Sequence, residues 1–430
     1  MNLLGGSTLP AASESQYERW LFVRLVGVFD VARSNFPSLG REIDSAERAF
    51  AVFNRLSFAQ IVEEGSPFFW MNVQRILAAD NAGLRNGSES LQYLICHSFD
   101  SYFSLLSDGE GVSFELEDHA DILLPKLGLR FEAQPGLLHL QRLHSSRACV
   151  ETSERRSEIA LTDIPTEFRL PLLSVASDYP ARFLLASHPS LFEPAYIDAV
   201  TPDAQNAADQ AAMIGHALGL ISGVYPSMGK RIRASINWYV PIDTDSLDTH
   251  NSFSAANLIG LVFLSEAANE LRLAEAIVHE FHHNELFAYS NVTPLIDGAA
   301  DRLFYSPWRQ DARPLYGLIH AIFVFAGVCD FYRCMEQAQA CYRYHDYVYG
   351  LHAERIWQLE IGLAQIPDDQ LTEAGRGLIS SLRARVEQHR QDFAENRAVP
   401  PSIESHLRTW MESHPHIASE VRLSCLHSAD

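Results

Sequence analysis

The stretch 271–288, LRLAEAIVHEFHHNELFA, limits what this chain can become more than any other. It carries no Gly or Pro. Leu271, Leu273, Ala274, Ala276, Ile277 and Val278 are apolar or strong helix formers, so it reads as a helix. Within it sits HEFHH, from His279 to His283. Residues four apart on a helix share a face, so His279 and His283 aim two imidazoles at one point, as a pair of metal ligands does. The helical repeat turns Glu280 about 100° from that pair, toward a metal-bound water or a group that orients one. His282 faces away and is read as packing or hydrogen bonding. A helix with solvent-facing His and Glu is the plain alternative, because three fixed positions recur by chance.

The chain has 430 residues and 47% hydrophobic content, enough for a sizeable core and two or three domains. A mainly helical N-terminal region is expected over 1–200, with short strands near 135–150; a metal-binding catalytic core over 201–350; and C-terminal helices over 351–430, packed on that core. The expected fold class is α+β and predominantly α-helical. The metal helix would pack beside a small antiparallel sheet, with a long helix following it. A formal net charge of −21 argues against a nucleic-acid partner, which needs a basic surface, and leaves room for a basic peptide. The longest apolar run, near 315–329, is interrupted by Gly317, His320 and Gly327, so no membrane span is expected. The N-terminus lacks the basic segment and long apolar core of a secretory signal. Six cysteines (Cys96, Cys149, Cys329, Cys334, Cys341, Cys425) are scattered without C-x-x-C spacing, which fits reduced thiols in a cytoplasmic protein.

Before the metal helix, 15–36, 45–64, 69–84 and 90–106 read as helices, and 107–113 as a loop. Residues 203–222 read as a helix and 231–242 as a strand. LIGLVFLS at 258–265 is a second strand, the place where zinc proteases often have an edge strand that holds an extended peptide. After the metal helix, a long helix is expected from Pro314 or Leu315 to about 348, since Pro is tolerated at the start. Periodicity resumes over 351–364, and a charged helix follows over 369–395.

Two histidines do not complete a site; a catalytic metal takes three protein ligands and keeps a position open. Neither a third His six residues on, where Tyr289 stands, nor any Glu between Glu285 and Glu336 is present. Asp297, Asp301, Asp311 and His320 are the downstream candidates. His320 stands out because it lies in the apolar run LIHAIFVF, where an imidazole needs a reason to be buried; a satisfied core histidine is the alternative. Arg309 and Arg313 follow YSPW and could receive a carboxylate in a bidentate fork, surface ion pairs being the plainer use. Two histidines, a further ligand and arginines suit a non-haem iron oxygenase as well as a protease.

LAEAIVHEFHH followed by FYSPWRQDARPLYGLIHAIFVFAGVCDFY resembles the HExxH-type peptide-modification proteins of ribosomally made peptide pathways, described as α-ketoglutarate-dependent peptide β-hydroxylases. The resemblance covers roughly 235–335, and PWRQDARPLYGLIH carries more of it than HEFHH does. It implies an enzyme using Fe(II), α-ketoglutarate and O2 to hydroxylate a β-carbon of a precursor peptide. It further implies iron ligation by His279, His283 and His320, a carboxylate clamp from Arg309 or Arg313, and Glu280 orienting a ligand or water. The rival reading is a zinc metallopeptidase with Glu280 as general base. The first 200 residues are left three roles: leader-peptide binding, homodimer formation or buttressing.

Overall fold

The computed structural model describes residues 9, 12–78, 87–176, 179–200, 206–244, 251–297, 302–338, 344–392 and 399–418. Asp301, Cys341 and Cys425 lie outside them. Helices α1 (Ala12–Val26), α2 (Val28–Asn35), α3 (Gly40–Phe50), α4 (Phe58–Glu64), α5 (Pro67–Leu77) and α6 (Gly87–Tyr102) come first. Strands β1 (Gly111–Leu116), β2 (Ala120–Leu124), β3 (Leu129–Ala133), β4 (Gly136–His144), β5 (Arg147–Glu151), β6 (Arg156–Ala160), β7 (Leu172–Ala176) and β8 (Tyr179–Leu184) follow. Then come α7 (Pro194–Ile197), α8 (Ala207–Val224), α9 (Pro226–Ser235), β9 (Trp238–Pro241), β10 (Ser252–Phe253), β11 (Leu261–Leu264) and α10 (Glu270–Ser290). The rest is β12 (Leu303–Phe304), β13 (Arg313–Pro314), α11 (Leu315–Gln337), α12 (His345–Ala364), α13 (Glu373–Asp392), α14 (Pro401–Ser413) and α15 (Pro415–Ala418). The class is α+β with helix predominating.

The chain forms two compact units. The first takes Ser15–Ala212 and Ile236–Ala268; the second takes Met213–Ser235 and Asn269–Asp430. In the first, β1 shows the two-residue period of a half-buried strand: Val112, Phe114 and Leu116 are buried while Ser113 and Glu115 face out. It lies at the edge of an antiparallel sheet ordered β1-β4-β5-β6, and β2 and β3 form a separate hairpin. The five-stranded sheet β10-β11-β9-β8-β7 differs from the antiparallel one expected: β11 pairs with β9, and β9 with β8, in parallel. β11 is therefore interior, with β10 outside it, and is not an edge strand. Phe68, Phe192, Trp238, Val240, Leu261 and Phe263 belong to the core built on this sheet.

Two element boundaries also differ. The strand expected over 231–242 begins only at Trp238, because Met228, Ile232 and Ser235 keep helical spacing on the buried side of α9. The long helix expected to reach 348 ends at Gln337, where the N–H of Ala338 closes on the Cys334 carbonyl, and α12 starts afresh at His345.

The second unit is built on α10, α11, α12 and α13. As expected, α11 runs as one helix through Gly317, His320 and Gly327; what differs from expectation is that these residues do not keep it below membrane-span length and hydropathy. At 23 residues it is long and apolar enough to cross a bilayer by length and composition, yet most of it is buried inside the protein. Its single acidic residue in the buried stretch, Asp330, is matched from α13: Arg385 donates to Oδ2 at 2.5 Å and His389 Nε2 lies 2.8 Å from Oδ1. His389 Nδ1 lies 3.1 Å from Nε2 of His352 on α12, whose Nδ1 meets Glu336 at 3.1 Å. This chain of polar groups joins α11, α12 and α13. Burial works against the charge on Asp330, but Arg385 and His389 hold its carboxyl well below the usual range.

Candidate metal centre

Asn269 starts the metal helix. Its side-chain oxygen accepts the N–H groups of Leu271 and Arg272, each at 3.1 Å, and Glu270 adds a negative charge to the first turn. Leu271, Leu273, Ala274, Ile277, Val278 and Phe281 are buried. His279, His283 and Phe287 form a half-buried stripe at four-residue spacing. Across it lies α11, running the opposite way, so that His279 meets Phe325, His283 meets His320, and Ser290 meets Tyr316.

Gly327 sets how near the two helices come. A Cβ there would stand 2.3 Å from the His282 ring, so only glycine leaves room for it. His282 is buried, and its Nδ1 donates to the Val278 carbonyl at 2.8 Å. Burial pushes its imidazole down to about 3, so it is neutral. It packs α10 on α11 and is not part of the 279/283 stripe.

The structure brings His279, His283 and His320 together. The His279 and His283 ring centres are 4.9 Å apart, and His283 stacks on His320 at 5.6 Å with their Nδ1 atoms 3.3 Å apart. His320 is 4% exposed, and its Nε2 is buried with no hydrogen-bond partner among the described residues. Burial, helped by the charge of Arg313, lowers the His283 imidazole to about 4; burial, with His283 beside it, takes His320 well below its usual value. Both are therefore neutral, the form in which imidazole binds metals. Glu280, on another face of α10, is 1% exposed.

The segment between α10 and α11 is held in place by pairing and by α12. β12 pairs with β13, Phe304 opposite Arg313. Gln365 of α12 exchanges hydrogen bonds with the backbone of Tyr305, and Gln358 donates to the Pro307 carbonyl at 3.0 Å. Gly362 leaves space for Trp308, which stacks on Phe325 at 5.0 Å and 8°. Arg309 and Arg313 share one carboxylate: Asp311 accepts from Arg309 at 2.7 Å and from Arg313 at 3.2 Å. Arg309 is well exposed, whereas Arg313 packs against Gly317 at the start of α11. Asp297 is exposed, and Asp311 is occupied by the two arginines.

No protein-family model matches this chain, and no curated protein matches it.

The fit of a metal ion rests on the donors. Two nitrogens bound to one ion at 2.0–2.1 Å in a tetrahedral arrangement stand about 3.3 Å apart, which is the spacing of the His283 and His320 Nδ1 atoms. The other nitrogen of the His320 ring, Nε2, is buried without a hydrogen-bond partner among the described residues and cannot bind the same ion as Nδ1. As the side chains lie, no group of three or more His, Cys, Asp or Glu among the described residues is arranged to hold an ion. The cluster thus offers a pair at ligand spacing with a third imidazole against it. Phe287, Trp308, Tyr316 and Phe325, which wall this cluster, all lie in the stretches 271–288 and 304–332, Trp308 and Tyr316 within PWRQDARPLYGLIH itself, but nothing in the sequence marks them as its walls.

Proposed function

We propose that this protein is a metal-dependent, peptide-modifying enzyme: an Fe(II)- and α-ketoglutarate-dependent dioxygenase that hydroxylates a β-carbon in a ribosomally synthesised precursor peptide. The observation that carries the proposal is the clustering of three histidines from two helices, with the His283 and His320 nitrogens 3.3 Å apart. The PWRQDARPLYGLIH segment supports it, since Trp308, stacked on Phe325, and Tyr316, against His320, wall that cluster. The proposal includes the expectation that α10 works beside a small sheet.

His279, His283 and His320 would hold the ion, with a side-chain rotation of His279 closing the set while the helix stays in place. When bound, iron with α-ketoglutarate and O2 supplies the oxidising power for C–H hydroxylation, and α-ketoglutarate leaves as succinate and CO2. The chain's own residues bind and orient. Fixing a substrate C–H bond against the reacting centre removes much of the entropic barrier, and the aromatic walls of Phe287, Trp308, Tyr316 and Phe325 exclude water. Glu280, buried in the helix, orients a neighbouring ligand. The resemblance gives the carboxylate of α-ketoglutarate to Arg309 or Arg313, and Arg313 is the one whose charge reaches His283.

Peptide mass distinguishes this reading from the zinc peptidase. Incubation with Fe(II), α-ketoglutarate and a precursor peptide is expected to add one oxygen to an intact peptide. Glu280→Gln should retain measurable turnover. Peptide fragments, produced with Zn(II) and abolished by Glu280→Gln, would instead establish hydrolysis by a zinc-bound water.

A further inference from the structure

Arg309, Arg313 and Arg355 differ in what holds their guanidinium groups. Arg309 and Arg313 both bind Asp311. Arg355, on α12, has no carboxylate within ion-pair distance among the described residues. Its Nη1 donates to Gln358 at 2.6 Å, and Gln358 is itself fixed by the Pro307 carbonyl. Its Nε is buried without a hydrogen-bond partner among the described residues. Its guanidinium carbon lies over the Phe325 ring, 4.9 Å from the centre. The His279 ring is also 4.9 Å from Phe325, so Arg355 and His279 are separated by no more than twice that distance.

A buried guanidinium donor left unsatisfied costs free energy, and more so for a charged group. A guanidinium with no ion-pair partner among the described residues also stands out in a chain of net charge −21. Both are relieved by one kind of ligand: a carboxylate, which accepts from Arg in a planar fork. Gln358 and the Phe325 face hold the guanidinium in one orientation before any ligand arrives, which lowers the ordering cost of binding. We infer that Arg355 is the carboxylate receptor of this site, holding an anionic ligand beside His279 against the Phe325–Trp308 wall. The inference rests on the proposed function for the identity of the ligand, which is either α-ketoglutarate or an acidic side chain of the peptide. Where that ligand is α-ketoglutarate, Arg355 takes the role that the resemblance gives to Arg309 or Arg313.

The test is direct binding to the full-length, metal-free protein, with α-ketoglutarate and N-acetyl-glutamate amide as separate probes, followed by calorimetry or ligand-observed NMR. Losing one charge-assisted fork is expected to weaken binding about tenfold or more. Arg355→Gln should show that loss, Arg355→Lys a smaller one, and Arg309→Gln and Arg313→Gln each less than Arg355→Gln. Thermal melting of each variant separates loss of a ligand from loss of the fold. A loss confined to α-ketoglutarate makes Arg355 the co-substrate receptor; a loss confined to the glutamate probe makes it a substrate-recognition residue. Equal affinities in wild type and Arg355→Gln, or no binding of either probe, overturn the inference. Metal uptake is measured on the same samples. Carboxylate binding that needs Arg355 in a protein that takes up no metal would sink the oxygenase and leave the receptor. Metal uptake with binding indifferent to Arg355 would do the reverse.

Discussion

Gly327 and His282 show how one residue sets the spacing of the site. With the imidazole occupying the space where a Cβ would go, Gly327→Ala must move a helix that carries His320. Overpacking of this kind typically costs 1–3 kcal/mol, so Gly327→Ala is expected to lower stability in urea unfolding by about that amount. In a His282→Ala background the same substitution should cost much less, because the two residues compete for one volume. Additive losses would mean that the contact does not govern the packing. At this scale much was legible beforehand. The four-residue spacing of His279 and His283 is local, and an imidazole in an apolar run marks His320 by itself. Arg355 and Phe325 carry no such mark. Each is an ordinary helical residue until α11 and α12 are folded against each other.

The helices depend on how they manage polar groups in dry surroundings. Asp330 is the clearest case, since α11 could not bury it without Arg385 and His389 from α13. Removing one partner from such a pair leaves an unmatched charge and costs about 3–5 kcal/mol, so Asp330→Ala should strongly destabilise the protein. The pH dependence has a definite sign. Because the folded carboxyl is held below its unfolded value of about 3.9, its contribution is present above that pH and disappears as pH falls through the depressed folded value. Denaturation of wild type and Asp330→Asn should therefore differ by a constant amount near neutrality. The gap should narrow progressively below about pH 4; a gap that widens on acidification would refute the assignment. Element boundaries were less legible than element types. The apolar content of 231–242 says nothing of where α9 yields to β9. The parallel pairing of β9 with β8 and β11 depends on contacts between residues far apart in sequence, which period and propensity do not encode.

At the scale of the molecule, His279, His283, His320, the three arginines and their aromatic walls all lie within the second unit. A ligand binding only the folded protein stabilises it by mass action. Fe(II), or Zn(II) as a redox-inert probe, is expected to raise stability by about 2.7 kcal/mol at one hundred times its Kd, in wild type but not in His283→Ala. An equal rise in that variant would place the ion elsewhere.

His279, His283 and His320 are proposed to hold a metal to which α-ketoglutarate binds. The most direct measurement adds Fe(II) and then α-ketoglutarate to the apo-protein under anaerobic conditions and records the visible spectrum. A charge-transfer band from the iron–α-ketoglutarate chelate is expected in wild type and should be lost in His279→Ala and His283→Ala. No band in wild type, together with one tightly held Zn(II) and cleavage of peptide, would contradict the claim.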